Sequence, residues 1–115
     1  MEKSIKTKVW LELGQGVAFC HGKADLLLAI DELGSINRAA QKLNMSYKRA
    51  WRYIRELERS LGTKILLTTV GGINGGGAQL TEVGKRLLNE YEETKEQVNR
   101  TLDQRIKGGP LNAAC

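Results

Sequence analysis

The side chains best suited to chemistry are concentrated in one stretch, MSYKRAWRYIREL, residues 45–57. It holds four basic side chains, three large aromatic ones and a single acid. Permanent cations interleaved with aromatics are suited to binding an anionic partner, because arginine and lysine donate hydrogen bonds to phosphates and to base edges. The chemistry that this stretch indicates is therefore recognition.

Catalysis and metal binding have little support elsewhere in the chain. Cys20 and His21 stand next to each other at the end of a predicted hairpin, and neighbours in a strand point to opposite faces, so they form neither a nucleophile with its base nor half a metal site. Cys20 and Cys115 are far apart without a CxxC pair. The loop GGINGGGA lacks the Gly-Lys-Ser/Thr ending of a phosphate-binding loop. We expect no enzyme, no metal and no cofactor.

The basic stretch is predicted to form a helix that begins after Ser46 as N-cap and ends at Gly62. At about 100° per residue, one narrow arc faces the core; it contains Ala50, Ile54, Leu57 and Leu61. Opposite this arc lies a row of cations that we call the cationic ridge: Lys48, Arg52, Arg55 and Arg59. Glu56 and Glu58 are predicted on the flanks, where they pair with neighbours and leave the ridge charged.

The elements around this helix predict an α+β, mainly helical fold of the winged helix-turn-helix type. An alternating segment around GQG predicts an N-terminal β-hairpin over residues 5–20, with Val9, Leu11 and Leu13 on one face. A helix follows and stops at Gly34, and Ser35 caps a short helix whose alanines allow close packing. The helix-turn-helix spans residues 35–61, and two strands around the glycine-rich loop form a wing over residues 64–80, completing a domain at residues 1–80.

Thr81 is predicted to cap a long last helix over residues 81–107. Its sparse apolar seam consists of Val83, Leu87, Tyr91, Thr94, Val98 and Leu102, and the last five of these are the expected dimer contacts. A helix that outreaches its own domain must bury this seam against another surface, either a second copy or a following domain. A two-fold dimer predicts an inverted-repeat operator. Residues 108–115 are expected to form a flexible tail.

Length, charge and hydropathy agree with a single domain that has an anionic partner. The chain has 115 residues and a formal net charge of +5, and a positive excess of this kind favours an anionic partner. It contains no apolar run long enough for a membrane span, and its first residues, MEKSIKTK, lack the apolar segment of a signal peptide. A cytoplasmic protein with no membrane partner is expected.

The segments GSINRAAQKLNMSYKRAWRYIRELE and GGINGGGAQLTEVG resemble the winged helix-turn-helix domain of the ModE family of molybdate-responsive transcriptional regulators. The resemblance covers about residues 5–90, whereas LysR-type regulators share only the AA…LxxS…I…LE skeleton. It implies operator binding by a homodimer. ModE proteins carry their oxyanion sensor in later domains, so molybdate or tungstate binding is not expected on this chain. It is either an excised DNA-binding domain or a stand-alone regulator.

In a helix-turn-helix the second helix, here the basic one that begins after Ser46, is the recognition helix that lies in the major groove. The resemblance implies base contacts from the start of this helix, at Ser46, Tyr47, Lys48, Arg49, Trp51 and Arg52. Of these, Lys48 and Arg52 lie one turn apart on the ridge and are the best candidates for guanine O6 and N7. Tyr47 and Trp51 can equally pack over the junction with the first helix of the motif, and Tyr53 is expected to pack. The expected phosphate contacts are Arg55, Arg59, Asn37, Gly75 and Gly76. Asn37 could instead be ordinary exposed polar surface, and the two glycines could instead belong to a flexible hairpin tip.

Two functions therefore remain open at the level of the sequence. The favoured one is sequence-specific binding of double-stranded DNA by a homodimeric regulator. The alternative is a winged-helix module that binds protein and keeps the basic helix as a solvated face.

Overall fold

The structure, a computed structural model, describes residues 4–69 and 76–108. Within these ranges the chain forms two small antiparallel hairpins and four helices, which is the predicted winged helix-turn-helix with an N-terminal hairpin and a long C-terminal helix. In chain order the elements are β1 (Leu11–Glu12), β2 (Ala18–Phe19), α1 (His21–Leu33), α2 (Ile36–Lys42), α3 (Tyr47–Leu61), β3 (Leu66–Thr68), β4 (Ala78–Leu80) and α4 (Glu82–Gly108).

The N-terminal hairpin is shorter than predicted. Only two residues of each strand pair, with Leu11 opposite Phe19 and Glu12 opposite Ala18. The ladder is short because the chain turns into α1 at His21, so residues 4–10 have no partner strand. The predicted apolar face is nevertheless present, since Val9, Leu11 and Leu13 all pack against the core.

Local sequence signals set the ends of the helices as predicted. The Ser35 hydroxyl accepts a hydrogen bond from the Arg38 N–H at 3.2 Å, and the Ser46 hydroxyl accepts one from the Arg49 N–H at 3.0 Å. Gly34 and Gly62 end α1 and α3 in the left-handed region, each with φ of +68°. A side chain at either glycine would be strained in that conformation, so these residues fix where each helix stops.

The helix-turn-helix is held together by small buried residues. Ala39 and Ala40 of α2 and Ala50 of α3 are almost fully buried, and α2 and α3 are in contact. Methyl side chains allow two helix backbones to approach closely, so this packing fixes the angle of α3 on the domain. The turn between the helices passes through Asn44 in the left-handed region, with φ of +55°.

The wing hairpin docks on the end of α1. Its strands pair Leu66 with Leu80 and Thr68 with Ala78, and the Ala78 N–H donates to the Gly34 carbonyl at 2.9 Å. Leu66 and Leu80 are buried in the shared core. The predicted glycine-rich tip lies largely outside the described residues.

The last helix, α4, begins as predicted and is longer than the domain that it leaves. The Thr81 hydroxyl donates to the Lys64 carbonyl at 2.8 Å and accepts from the Gly84 N–H at 3.2 Å, which joins the start of α4 to the wing. Its 27 residues span about 40 Å at 1.5 Å per residue. Gly108, which was predicted to begin the tail, is the last helical residue; the rest of the predicted tail, residues 109–115, lies outside the described residues.

The molecule is elongated as a result. Its principal extents are 64 × 28 × 21 Å and its radius of gyration is 17.9 Å, against about 13 Å for a compact domain of about 100 residues. The outer part of α4 therefore extends away from the core.

Candidate nucleic-acid interface

The cationic ridge faces outward because the opposite side of α3 is fixed in the core. Ala50, Ile54 and Leu57 are fully buried, and on an amphipathic helix the face opposite the buried stripe is the exposed one. Lys48, Arg52, Arg55 and Arg59 are all exposed. The ridge predicted from helical periodicity is thus presented on one face of a rigid helix.

The two acids of α3 are largely occupied by other partners. Glu58 accepts hydrogen bonds from the N–H groups of Ile65 and Leu66, at 2.9 Å and 3.4 Å, where the chain enters β3. Glu56 lies 3.3 Å from the Lys23 Nζ of α1, and that lysine also donates to the Ala18 carbonyl at 3.0 Å. Each acid therefore ties α3 to a neighbouring segment.

One prediction about the ridge needs a correction. Glu56 was expected to pair with neighbours outside the ridge. Its Oε2 does pair with Lys23, but its Oε1 lies 3.9 Å from the Nε of Arg52, which belongs to the ridge. The two side chains are four residues apart on α3, a spacing that brings them onto the same face. Arg52 remains 63% exposed, and the ion pairs of the described residues do not include Lys48, Arg55 or Arg59.

The aromatic residues of α3 divide into two groups. Trp51 is half-buried and packs against the core, and its ring meets Tyr47 edge-on with centroids 6.2 Å apart. The Arg55 guanidinium lies 5.6 Å from the Trp51 ring centroid, within the range of a cation–π interaction. Packing of Trp51 is therefore established, and its contact with a base stays a prediction.

Tyr53 packs against the core as predicted, but it also has a role that the sequence reading missed. Its hydroxyl accepts hydrogen bonds from both Arg49 Nε and Arg49 Nη2, at 3.0 Å and 2.8 Å. Lys23 and Arg52 also lie within 6 Å of its ring centroid. The spacing of four residues between Arg49 and Tyr53 was the available signal.

The predicted DNA-contacting residues of α3 lie together on its exposed side. This surface is formed by Ser46, Tyr47, Lys48, Arg49, Trp51, Arg52, Arg55 and Arg59, and it also includes Glu56. Ser46 contributes its hydroxyl to the cap of α3, so that oxygen already accepts a hydrogen bond. Asn37 and Gly76 are exposed on α2 and beside the wing tip, whereas Gly75 lies outside the described residues.

The predicted seam of α4 is divided between two environments. Leu87 and Tyr91 are 7% and 2% exposed, and the Tyr91 ring meets Phe19 edge-on at 5.4 Å between centroids. Both residues therefore belong to the core of their own chain, which corrects their assignment to a dimer contact. The outer seam is half-buried and continues one turn further than predicted, through Thr94, Val98, Leu102 and Ile106.

The prediction that Cys20 and His21 are neighbours in a strand is wrong. These residues lie at the N-cap and the first position of α1 rather than in a strand. The His21 Nε2 lies 3.1 Å from an Asp25 carboxylate oxygen. In the part of the chain that the structure describes, no three His, Cys, Asp or Glu residues cluster as metal ligands, and none of its helices has the length and hydropathy to cross a membrane.

The fold and this surface define a winged helix-turn-helix protein with a cationic second helix. Residues 23–85, more than half of the chain, match the model of bacterial regulatory helix-turn-helix proteins of the lysR family. The chain belongs to that family.

Comparison with individual relatives confirms the resemblance to ModE. The chain is 33% identical over 109 residues to the molybdenum transport protein ModE of Azotobacter vinelandii, covering 90% of this chain and 40% of that protein. It is 33% identical over 103 residues to the transcriptional regulator ModE of Haemophilus influenzae, covering 87% of this chain and 40% of that protein. The chain thus spans about two fifths of the length of these curated relatives.

A solved structure with the same fold is full-length CbnR complexed with its target DNA. The match has a TM-score of 0.55 and a sequence identity of 25%, and it covers 72% of this chain and 27% of CbnR.

Proposed function

We propose that this chain binds double-stranded DNA sequence-specifically, as a homodimeric regulator of transcription in the cytoplasm. In this proposal α3 lies in the major groove, the wing lies near the sugar-phosphate backbone, and α4 joins two copies. Membership of a bacterial regulatory family and the likeness to ModE regulators support the proposal. CbnR, which shares the fold, binds its target DNA.

The observation that carries the proposal is the charge arrangement on α3. All four ridge cations are exposed. Glu58 is hydrogen-bonded to the backbone near β3, and Glu56 forms an ion pair with Lys23 and a longer one with Arg52. An α-helix with its side chains is about 10–12 Å across, and the major groove is about 12 Å wide. A fixed helix with one cationic face therefore matches the groove in both shape and charge.

The proposed contacts follow from position along the helix. The N-terminal part of a recognition helix reaches base edges, so we assign base contacts to the first two turns of α3, with Lys48 and Arg52 as the main candidates for guanine. Arg55 and Arg59 lie further along and are assigned to phosphates, together with Asn37 and the backbone N–H groups of Gly75 and Gly76. Two such helices in a two-fold dimer would read an inverted repeat.

A salt titration with random-sequence duplex tests the proposal. Neutralised phosphates release counterions, so the logarithm of the binding constant should fall with the logarithm of salt concentration, by about 0.9 per phosphate contact. Arg55→Gln and Arg59→Gln should each reduce that slope by about one per protomer. Arg100→Gln removes the same charge from an exposed position on α4 and should leave the slope unchanged. Absence of binding at low salt would favour the protein-interaction alternative.

A further inference from the structure

The strongest unassigned feature is the pairing of Arg49 with Tyr53. Arg49 donates from Nε and from Nη2 to the same phenol oxygen, at 3.0 Å and 2.8 Å. Its guanidinium carbon also lies 5.3 Å from the Tyr53 ring centroid. Two hydrogen bonds to one atom fix the plane of a guanidinium, whereas one bond would allow it to rotate.

The pairing leaves one edge of Arg49 available. A guanidinium carries five N–H donors in a rigid planar fork. Tyr53 occupies the edge formed by Nε and Nη2, so the remaining bidentate edge is the one between Nη1 and Nη2. A parallel pair of donors of this kind matches the O6 and N7 acceptors of guanine in the major groove.

Tyr53 is itself well anchored. It is half-buried and packs against the core, while Arg49 is exposed. The Lys23 ammonium of α1 lies 5.4 Å from the Tyr53 ring centroid, and the Arg52 guanidinium lies 5.9 Å from it. The ring therefore has neighbours on two helices, and its hydroxyl provides a fixed point for a mobile side chain.

We propose that Tyr53 is a positioning residue that presents the outer edge of Arg49 to a guanine in the DNA site, an inference that rests on the proposed function. A flexible arginine loses rotamer entropy when it binds. Arg49 has already lost part of that freedom through Tyr53, so less is lost on binding DNA. Tyr53 thus contributes to specificity without contacting DNA.

The test begins with duplexes selected by the wild-type protein from a random-sequence pool, followed by affinity measurements on the selected duplex and its single-base variants. Tyr53→Phe removes the hydroxyl and keeps the ring. It should weaken binding to the selected duplex about tenfold, and it should reduce discrimination at one guanine-containing base pair. Binding to random duplex and the thermal unfolding temperature should stay at wild-type values.

Three further variants separate positioning from a general structural effect. Arg49→Lys keeps the charge but lacks the planar fork that can bond Tyr53 along one edge and a guanine along another, so it should lose discrimination at the same base pair and retain binding to random duplex. In an Arg49→Ala background, Tyr53→Phe should have no further effect. Tyr91→Phe, which removes the same atom from the core, should leave discrimination intact.

The outcomes are distinguishable. Wild-type discrimination by Tyr53→Phe, or an equal loss on every duplex, would overturn the positioning role while leaving the proposed function standing. No binding of any duplex by the wild-type protein would overturn the proposed function and this inference with it.

Discussion

At the scale of single residues, each charge on α3 acts in the context of its neighbours. Glu56 lies 3.3 Å from the Lys23 Nζ and 3.9 Å from the Arg52 Nε. Lys23 has the shorter contact, and its side chain is only 14% exposed, against 63% for Arg52. Glu56 therefore serves mainly as an anchor between α1 and α3, and Arg52 is the partner that can be released to a ligand.

Substitutions of Arg52 and Arg59 should have different effects on DNA binding. Arg52→Ala should cost about 1–3 kcal/mol on the selected site and relax discrimination there, because Arg52 is assigned to a base. Arg59→Ala should weaken binding to all sequences alike, because its assigned contact is a phosphate. Fluorescence anisotropy on the selected duplex and on random duplex measures both effects. Equal losses for the two variants on every duplex would contradict the assigned roles.

The stability of the protein should depend on Tyr91 in alkaline solution. Burial raises the pKa of the Tyr91 phenol above its usual value of 10.0, with smaller contributions from Cys20, Glu92 and Asp25. As the pH rises, the Tyr91 phenol therefore loses its proton at a lower pH in the unfolded chain than in the folded one. The stability that the neutral phenol contributes is complete below about pH 10 and is lost as the pH passes through the raised pKa of the folded state.

The comparison that isolates this effect is wild type against Tyr91→Phe. The free energy of unfolding, measured by urea titration between about pH 8 and pH 11, should fall more steeply above pH 10 for the wild type. At neutral pH the two proteins should be similar in stability, because phenylalanine keeps the edge-on contact with Phe19. Parallel curves over the whole range would show that Tyr91 is not responsible.

Individual side-chain pairings were the part of the site that the sequence reading did not predict. Helical periodicity predicted which side of α3 is cationic, because that depends only on the angle per residue. It did not predict that Arg49 pairs with Tyr53 or that Glu56 pairs with Lys23. The pairing of Arg49 with Tyr53 requires one of several rotamers that an exposed arginine can adopt. The pairing of Glu56 with Lys23 joins side chains of α3 and α1, and only the tertiary fold brings them within reach.

At the scale of secondary structure, prediction succeeded where the signal is local. The caps at Ser35, Ser46 and Thr81 and the stops at Gly34 and Gly62 depend on side chains within a few residues of the helix end. The first hairpin was predicted too long because its extent depends on where the partner strand ends. That end is set by the start of α1 at His21.

The junction between the wing and α4 should be sensitive to an added side chain at Gly84. A Cβ added at Gly84 would lie 2.6 Å from the Ile65 carbonyl oxygen and 3.4 Å from the Leu80 Cβ. The close contact is with backbone, which cannot rotate away. Gly84→Ala should therefore lower the free energy of unfolding by about 1–3 kcal/mol, despite the gain in helix propensity.

Gly22→Ala is the matched control for this prediction. A Cβ at Gly22 in α1 would meet no heavy atom within 4 Å. The substitution should therefore leave the stability unchanged or raise it by up to about 1 kcal/mol. Urea unfolding of both variants measures the difference in their free energies of unfolding. If Gly84→Ala were as stable as Gly22→Ala, the backbone at Ile65 would be able to move away from the added Cβ, and the prediction would be wrong.

At the scale of the whole molecule, the sequence predicted that α4 outreaches the domain but not where it leaves the core. Helix length can be predicted from the cap and the absence of breakers. Which seam residues lie in the core and which lie beyond it depends on contacts with segments distant in the sequence, such as the contact between Tyr91 and Phe19. Leu87 and Tyr91 therefore stabilise the monomer, and only the outer seam remains for a partner.

If the outer seam joins two copies, its residues should control the oligomeric state. Val98 is half-buried at the centre of this seam and Gln97, its neighbour, is exposed. A charge on the seam would be desolvated in a dimer, so Val98→Glu should shift the protein to monomer. Gln97→Glu adds the same charge outside the seam and should leave the oligomeric state unchanged.

Sedimentation equilibrium measures the mass of each variant. Circular dichroism should show less helix in the Val98→Glu monomer, because an unpaired stretch of helix is marginal in water. A wild-type protein that stays monomeric at high concentration would instead assign the seam to another domain, and an inverted-repeat site would no longer be expected.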